Sequence, residues 1–198
     1  MSDSGKRKRG RPRTIDRDEV VLTAMKIWWA EGAAVSLNEI SRRTGLSKSS
    51  LYREFGGEDG LMAAALGQYR ARSVVPLLTL FKRGLSPRDT LAFVVQGTTA
   101  DHGLPAGCFF TKLRLTGRAL GDATKLLVGQ IEEERRSTFE EWFRIVDESG
   151  LLNPALTPPQ AARYLDAQLT LILVRLAAND PVVAIREDAN LALGALLV

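Results

Sequence analysis

Two short helix signals joined by a single glycine constrain the fold of this 198-residue chain more than any other feature. Ser36 followed three residues later by Glu39 is a capping box, which predicts the start of a helix. Gly45 ends that helix, because glycine readily takes the left-handed backbone of a sharp stop. Ser47 then caps a second helix, predicted over residues 48–55. Together these signals predict two short helices that meet at a tight turn.

A helix-turn-helix needs a small residue in its first helix, a glycine in the turn and an apolar anchor in its second helix, because the two helices cross closely. Ser41, Gly45 and Leu51 occupy these places. The outward face of the second helix is then polar, and it consists of Lys48, Ser49, Ser50, Tyr52, Arg53 and Glu54. Such side chains suit base edges and phosphates, so we predict that this face binds double-stranded DNA. An ordinary helical hairpin with a solvated face is the alternative.

The rest of the chain also carries helix signals, with no strand-period run and no internal repeat. Asp16 and Gly32 bound a first helix, and a fourth opens at Glu58 and runs to about Arg83. Five further helices are predicted over residues 87–99, 108–118, 122–149, 160–179 and 181–197. The prediction is an all-α protein of about nine helices, with an N-terminal three-helix DNA-binding domain and a C-terminal helical domain.

Positive charge is concentrated at the N-terminus. Residues 1 to 55 carry 12 Lys and Arg against 7 Asp and Glu, a balance of +5 in a chain of net charge +4, so the remainder sums to −1. This asymmetry is the footprint of a nucleic-acid-binding head on a nearly neutral body. We therefore expect a disordered basic arm (1–15), a helix-turn-helix domain (16–57) and a helical dimerisation and effector-binding domain (58–198).

The basic arm contains Arg9-Gly10-Arg11-Pro12, which resembles an AT-hook. Glycine lets the backbone lie deep in a narrow A·T minor groove, and proline keeps its path extended. An arm that enters the minor groove beside a helix-turn-helix is a known arrangement. We predict that Arg9, Arg11 and Arg13 contact DNA in this way, with non-specific attraction to phosphates as the alternative.

The stretch SLNEISRRTGLSKSSLYREFGGEDGLMAAAL resembles the signature of TetR-family (tetracycline-repressor-like) regulators, and the likeness extends over roughly residues 16–70. It implies that the first three helices bind DNA and that the last two dimerise. By this resemblance Tyr52 would contact a phosphate. The other implied DNA contacts, with Arg53 added from the polar face, are Ser36, Thr44, Lys48, Ser49 and Ser50.

Two positions depart from the family pattern. Many members carry Lys where this chain has Glu58, and a basic residue or His is often found at the place of Glu54. A carboxylate does not bind phosphate, so we expect weaker affinity for the DNA backbone. Glu54 could instead accept from a cytosine amino group. Helix capping or simple solvation is the alternative for both.

The last two predicted helices each carry an apolar stripe, and the final ten residues have no charged side chain. Pairing these helices with a second copy would build a four-helix interface, so we predict a homodimer. Packing within the chain's own core is the alternative. The predicted interface residues are Leu165, Leu169, Ile172, Leu176, Ile185, Ala189, Ala192 and Leu196.

A pocket for a small apolar effector is expected between the fourth and eighth helices. Its candidate residues, each with plain core packing as the alternative, are Phe93, His102, Cys108, Phe109, Phe139, Trp142 and Tyr164. Cys108 opens a predicted helix, whose dipole can lower a thiol pKa. Sensing of oxidants or electrophiles through Cys108 is therefore a further hypothesis, beside a buried inert thiol.

One cysteine and one histidine exclude an intrachain disulfide and a Cys/His zinc site. No catalytic or cofactor motif stands in a fitting context, so we expect neither an enzyme nor a cofactor. No membrane-length apolar run or secretory signal is found, which indicates the cytoplasm. The overall interpretation is a repressor that leaves a dyad-symmetric operator when it binds an effector. An architectural protein that prefers A·T-rich DNA is the alternative.

Overall fold

The computed structural model describes residues 16–114 and 119–198, so the predictions for the basic arm and for 115–118 lie outside the described residues. In the described part the chain is helical, with one isolated antiparallel bridge. The helices are α1 (Arg17–Glu31), α2 (Leu37–Thr44), α3 (Lys48–Phe55), α4 (Glu58–Tyr69), α5 (Val75–Leu80), α6 (Pro87–Thr98), α7 (Phe109–Arg114), α8 (Asp122–Glu148), α9 (Pro158–Ala177) and α10 (Val182–Gly194). A π-helical turn, Arg70–Val74, joins α4 to α5 as one continuous rod. The prediction of an all-α fold with about nine helices is confirmed for these ranges.

The first three helices begin and end where the sequence predicts, because their signals are local. Each N-cap side chain accepts a hydrogen bond from a backbone N–H two or three residues later. Each helix stops at a glycine with positive φ. The N-caps are Asp16, Ser36 and Ser47, and the terminal glycines are Gly32, Gly45 and Gly56.

The π-helical turn lies directly before Pro76, and proline explains it. The N–H of Val75 donates to the carbonyl of Arg70, five residues earlier. Pro76 has no N–H for the carbonyl of Arg72, and its ring would crowd that carbonyl in a regular helix. A wider turn relieves the clash without ending the rod. The predicted helix to about Arg83 ends at Leu80, followed by tight hydrogen-bonded turns.

The helix α4 connects the two parts of the molecule. It packs against α1 and α3 on the N-terminal side and against α8 in the body. In the body, α8 packs against α9, and α10 packs against both α6 and α9. One hydrophobic core runs through all of these layers, with Trp28 buried near its N-terminal end and Phe109 and Phe143 buried in the body. A shift of α4 would therefore be transmitted to both parts.

The C-terminal tail departs from the prediction of a helix to Leu197. The helix α10 ends at Gly194, and the residues after it turn back onto the connector before α9. The backbone N–H of Asn153 donates to the carbonyl of Leu196 at 2.9 Å, and the N–H of Val198 donates to the carbonyl of Leu151 at 3.1 Å. These long-range hydrogen bonds take the place of helical hydrogen bonds for the backbone of the tail. The periodicity of the sequence gives no sign of them.

Candidate DNA-binding surface and interior cavity

The turn between α2 and α3 has the geometry that the sequence predicts. Gly45 takes a left-handed conformation with φ of +70°. The Ser41 hydroxyl donates to the carbonyl of Leu46 across the turn. Leu51 is fully buried, as is Ile40 on the facing helix. The predicted helix-turn-helix is confirmed, and its buried anchors fix the orientation of α3.

The opposite face of α3 is open to solvent. Tyr52 is 55% exposed although it is a large aromatic residue. Lys48, Ser49 and Arg53 are exposed and Ser50 is half-buried. Within the described part of the chain, the side chains of Lys48 and Tyr52 have no hydrogen-bond or ion-pair partner. This face therefore offers an ammonium and a phenol as unused hydrogen-bond donors, beside one guanidinium.

The serines at the start of α3 are already engaged with one another. The hydroxyl of Ser47 lies 2.9 Å from the hydroxyls of both Ser49 and Ser50. Its oxygen also accepts from the backbone N–H of Ser50 at 3.1 Å. A hydroxyl can donate once and accept twice. The Ser47 hydroxyl therefore donates to one of these two hydroxyls and accepts from the other. The hydroxyl that accepts from Ser47 keeps its own O–H for DNA, whereas the one that donates to Ser47 keeps only acceptor capacity.

Ser36 and Thr44, the implied backbone contacts of α2, differ in their availability. Ser36 is exposed and accepts from the N–H of Glu39 at 3.4 Å, so its hydroxyl hydrogen remains available. Thr44 is half-buried and donates its hydroxyl hydrogen to the carbonyl of Ile40 at 2.8 Å. Because a phosphate oxygen only accepts, Thr44 would have to give up that bond to hold the DNA backbone.

An ion-pair network that local patterning did not predict joins α2 to α1. Arg43 pairs with Glu31 of α1 and, at 2.6 Å, with Glu39 of its own helix. Arg42 also donates to Glu39, at 2.9 Å through its Nε. Hydrogen bonds from Arg42 and then Arg43 lower the pKa of Glu39 to about 2. Two cations of α2 are thus paired within the protein, and the cations on the face of α3 are Lys48 and Arg53.

Glu54 and Glu58, which depart from the family pattern, lie near this face. Glu54 is exposed and pairs with Arg53, whose Nε is 3.2 Å from a carboxylate oxygen. This ion pair partly neutralises the positive charge that Arg53 presents to solvent. The pairing is exposed on both sides, and such surface pairs contribute little to stability. Glu58 is half-buried in the first turn of α4.

Asp59, the neighbour of Glu58, caps a helix of the body. Its carboxylate accepts from the backbone N–H groups of Ala123 and Thr124, at 2.9 and 3.1 Å, and from the Thr124 hydroxyl at 2.6 Å. Burial raises the pKa of Asp59, but the hydrogen bonds from Thr124 and Ala123 outweigh it, so the net shift is downward. An acid in the first turn of a helix normally stabilises the start of that same helix. The structure shows a long-range N-cap for α8 instead.

Gly60 and Gly57 allow α3 and α4 to meet closely. A Cβ placed on Gly60 would lie 1.7 Å from the backbone carbonyl oxygen of Phe55, so no other residue fits without moving one helix. A Cβ on Gly57 would lie 3.1 Å from the Tyr52 ring, which places that ring over the turn. The position of α3 and of its exposed tyrosine therefore depends on two glycines at the start of α4.

A cavity of about 670 Å³ lies in the body. Its wall includes Phe93 and His102 of the predicted pocket residues. His102 donates through Nε2 to the carbonyl of Gly97 at 2.9 Å, since a carbonyl only accepts. Lining residues that the sequence did not suggest include Trp29, Tyr69, Arg72, Leu77, Arg83, Arg135, Leu169, Leu173 and Leu176. They come from helices distant in sequence, which periodicity does not bring together.

The other five predicted pocket residues do not line this cavity. Phe109 and Trp142 are buried in aromatic clusters, Phe109 with Trp29 and Tyr69, and Trp142 with Phe81 and Phe143. Phe139 lines a smaller cavity of about 270 Å³, Tyr164 lies on the outer surface of α9, and Cys108 is buried. The four buried residues thus pack in the core, the alternative that the sequence left open, whereas Tyr164 does not.

Cys108 lies directly before α7 and against Tyr69. Its sulfur is 3.2 Å from the Tyr69 hydroxyl and accepts from the backbone N–H of Thr111 at 3.3 Å. The pKa of Tyr69 is raised, first by burial and then by Cys108. The thiol is buried, so an oxidant or electrophile would reach it only after local opening.

Within residues 16–114 and 119–198 no group of three or more His, Cys, Asp or Glu could hold a metal ion.

Most of the predicted dimer residues pack inside their own chain. Six are buried inside their own chain, and Leu176 and Ala192 are half-buried. The six are Leu165, Leu169, Ile172, Ile185, Ala189 and Leu196. Periodicity finds the most apolar face of a helix, and here that face packs on α8 and α6. For these six residues the structure therefore shows packing within the chain's own core, which the sequence analysis gave as the alternative. Other apolar side chains of α9 and α10 are exposed, namely Tyr164, Leu171, Val174, Val183 and Leu191.

Comparison with known proteins supports the N-terminal site. The sequence model for "bacterial regulatory proteins, tetR family" matches residues 21–65, which run from α1 into α4. The HTH-type transcriptional repressor ComR of Escherichia coli K12 is 35% identical over 109 residues, which are 52% of each chain. The HTH-type transcriptional repressor BdcR of the same organism is 26% identical over 100 residues, 50% of this chain and 51% of its own. These matches thus span about half the length of either relative.

A solved structure resembles the whole fold. It is the TetR family transcriptional regulator CifR, as a cysteine mutant complexed with double-strand operator DNA. It is 25% identical, covers 93% of this chain and 99% of its own, and has a TM-score of 0.80. No helix in the described ranges is both long and apolar enough to cross a membrane.

Proposed function

We propose that the chain is a member of the TetR family of bacterial regulatory proteins and that it is a sequence-specific DNA-binding transcriptional repressor. The observation that carries this proposal is the exposed polar face of α3, held outward by the fully buried Leu51 on its other side. The names of ComR and BdcR, both transcriptional repressors, and the operator complex of CifR support it. The same names support a role without catalysis.

In this proposal α3 enters the major groove. Lys48 and Arg53 reach base edges or phosphates, Ser49 and Ser50 accept from bases, and Tyr52 donates to a phosphate. Ser36 holds the backbone beside α2, and Thr44 does so after releasing the Ile40 carbonyl. The arginines of the basic arm, Arg9, Arg11 and Arg13, enter the adjacent minor groove.

We further propose that two copies form a dimer through the exposed faces of α9 and α10. On α9, Tyr164, Leu171 and Val174 follow one another at seven and three residues, which places them on one face. On α10, Val183 and Leu191 are exposed to 67% and 79%. Exposed apolar faces of this kind mark interfaces. A two-fold axis would then present two copies of α3 to successive major grooves, about 34–36 Å apart or a multiple of that distance.

Release of the operator by a small molecule completes the proposal. The cavity in the body is walled partly by the π-helical turn, which continues into α4, and α4 supports α3. A ligand changes DNA affinity only if it prefers one of the two states. The effector is therefore a molecule that fits the cavity better when α4 is displaced. The site of action is the cytoplasm, where bacterial DNA lies.

Binding to genomic DNA fragments tests the repressor function. The purified protein should select one or a few fragments, and footprinting should show a dyad-symmetric protected site. Reporter expression from that site should fall when the protein is present. Equal affinity for all fragments, measured by gel shift at one stated salt concentration, would overturn the proposal.

The same assay separates the architectural alternative. A chain that lacks residues 1–13 should bind the operator more weakly and with a shallower salt dependence, but should still select it, because α3 reads the bases. Alanine at Lys48, Ser49 and Ser50 should abolish selection. If truncation abolishes an A·T preference that these alanines leave intact, the protein is architectural.

A further inference from the structure

Two kinds of side chain among the residues that line the cavity bear on its ligand. The first kind is aliphatic: Leu77, Leu80, Leu169, Leu173 and Leu176. The second kind carries a charge or an imidazole: Arg72, Arg83, Arg135, Asp101 and His102. Asp101 is the one carboxylate among the described lining residues, so the arginines outnumber it. A lining of aliphatic groups and excess cations fits a molecule with one apolar part and one anionic part.

Arg135 is a buried cation whose hydrogen bonding is incomplete. Its Nη2 donates at 2.6 Å to Asp166, but its Nε is buried and has no partner among the described residues. Asp166 lines the smaller cavity and not the larger one, so it balances this charge from the far side. Arg135 itself lines both cavities. The Nε–H of Arg135 is therefore available to an acceptor in the larger cavity after a small movement of the side chain.

Trp29 provides a second buried donor without a partner. Its indole Nε1 is buried and makes no hydrogen bond within the described residues, whereas the neighbouring Trp28 donates to the carbonyl of Val35 at 3.0 Å. Trp29 also lines the cavity. An indole nitrogen only donates. A buried donor without an acceptor costs free energy. The unpaired donors of Trp29 and Arg135 therefore both favour an occupant that carries acceptor oxygens.

Arg72 and Arg83 add positive charge where the cavity opens to solvent. Both are exposed, both line the cavity, and neither has an ion-pair partner in the described part of the chain. Arg136, an exposed arginine of α8 that does not line this cavity, is by contrast paired with Glu133 and Glu140. Unpaired cations at a cleft attract anions and repel cations.

We propose that this cavity binds an amphipathic anion, with a carboxylate or a similar oxygen anion on an aliphatic chain. The aliphatic part packs on the lining leucines, and the oxygens accept from Trp29 and Arg135. Arg72 and Arg83 hold the negative charge at the opening. The regulatory meaning of this site rests on the proposed function, because the ligand contacts the π-helical turn that leads into α4. The binding itself does not depend on DNA.

Calorimetric titration of the purified protein with three ten-carbon probes tests the ligand class. The probes are decanoate, decan-1-ol and decyltrimethylammonium, each below its micelle-forming concentration. We expect decanoate to bind about tenfold more tightly than decanol, and the cation to bind weakest, because one charge-assisted hydrogen bond is worth about that ratio. Equal binding of decanoate and decanol, stronger binding of the cation, or no binding of decanoate would overturn the proposal.

Variants of the lining residues then test whether these residues cause the preference for decanoate over decanol. Trp29→Phe keeps an aromatic ring but removes the N–H, and the double variant Arg72→Gln with Arg83→Gln removes the charge at the opening. Each should lower the ratio of decanoate to decanol affinity about tenfold, while decanol affinity reports whether the cavity keeps its shape. The matched control Arg88→Gln, an exposed arginine of α6 that does not line the cavity, should keep the wild-type ratio. A ratio unchanged in both test variants contradicts the assignment.

Operator binding, measured separately, distinguishes this inference from the repressor function. A protein that selects an operator but does not prefer decanoate loses only the ligand class. A protein that prefers decanoate but selects no operator loses the repressor function, and the anion site stands as a binding site.

Discussion

At the scale of single residues, the character of the candidate DNA-binding face depends on which polar groups the protein itself already uses. Thr44 and the serines of α3 are engaged in hydrogen bonds within the chain, and Arg53 is paired with Glu54. Tyr52 is exposed and has no such partner within the described residues. The Tyr52 hydroxyl can therefore be removed with little effect on the fold.

Tyr52→Phe should weaken DNA binding about three- to tenfold, because a hydrogen bond of this kind contributes about 1 kcal/mol. The loss should be similar on operator and on unrelated DNA, since a phosphate contact carries no base information. Fluorescence anisotropy on both DNAs measures it. Ser137→Ala, which removes an exposed hydroxyl group from α8, is the control and should bind as the wild type does. A loss confined to the operator would mean that Tyr52 reads a base.

At the scale of helices, two contacts of the first turn of α4 set the position of the helix-turn-helix on the body. Gly60 lets the end of α3 approach α4, and Asp59 caps α8. Neither role follows from propensity, because glycine inside a helix is unfavourable and an acid in the first turn normally serves its own helix. A substitution at Gly60 or at Asp59 therefore tests its contact, and a matched control substitution is available elsewhere in the chain for each.

Gly60→Ala should separate α3 from α4, because the new methyl group overlaps the Phe55 carbonyl oxygen. We expect a loss of roughly 1–3 kcal/mol in the free energy of unfolding and at least a tenfold loss of operator affinity. Gly129→Ala, in α8 with open space around it, should instead leave DNA binding unchanged and stabilise by roughly 0.5–1 kcal/mol. Urea denaturation and gel shift measure both. Equal stability of the two variants would contradict this account of the α3–α4 contact.

Asp59→Asn should destabilise the protein by roughly 0.5–1.5 kcal/mol at pH 7, because the amide keeps only one of the two oxygens that accept from Ala123 and Thr124. The pKa of Asp59 is lowered in the folded state. Its contribution is therefore present above the unfolded pKa of about 3.9 and is lost as the pH falls through the folded value.

The difference between wild type and Asp59→Asn in urea denaturation should accordingly shrink from pH 7 towards pH 3. Asp122→Asn is the control, because Asp122 is fully exposed at the start of the same helix and lies 3.6 Å from Lys125. It should change the free energy of unfolding by a few tenths of a kcal/mol at either pH. A difference for Asp59→Asn that grows at low pH would refute the capping role.

At the scale of the whole molecule, the exposed apolar residues of α9 and α10 are what a dimer has to cover. The most apolar stripes of these helices are already used in the chain's own core. A dimer through the remaining faces would give the two copies of α3 the fixed spacing that a dyad operator requires. Assembly and DNA binding should therefore be lost together.

Leu171→Glu combined with Leu191→Glu should convert the dimer to a monomer, because four charges would be buried in the paired interface without partners. Sedimentation should show half the mass, and operator affinity should fall at least a hundredfold as cooperative binding of two half-sites is lost. Leu126→Glu, at an exposed leucine of α8, should keep the mass and the affinity of the wild type. A dimer that survives both charges excludes this interface.

The sequence alone predicted the helical fold and the bounds of α1, α2 and α3. Their caps, such as Ser36 with Glu39 and Ser47 with Ser50, join groups only three residues apart. Their stops are glycines with positive φ, a property of the residue itself. Signals of this range are complete within a few residues, so the helix-turn-helix and its exposed polar face could be inferred before any packing was known.

Only the tertiary structure decided which face of each body helix is inside and which residues form the cavity. Leu169 and Ile172 form a stripe that would suit a partner or the chain's own core equally well, and the choice depends on α8, at a distance in sequence. The cap of α8 by Asp59 spans 64 residues, and the cavity joins Trp29 to Leu176. Periodicity reports how apolar a face is, whereas its partner is set by the path of the rest of the chain.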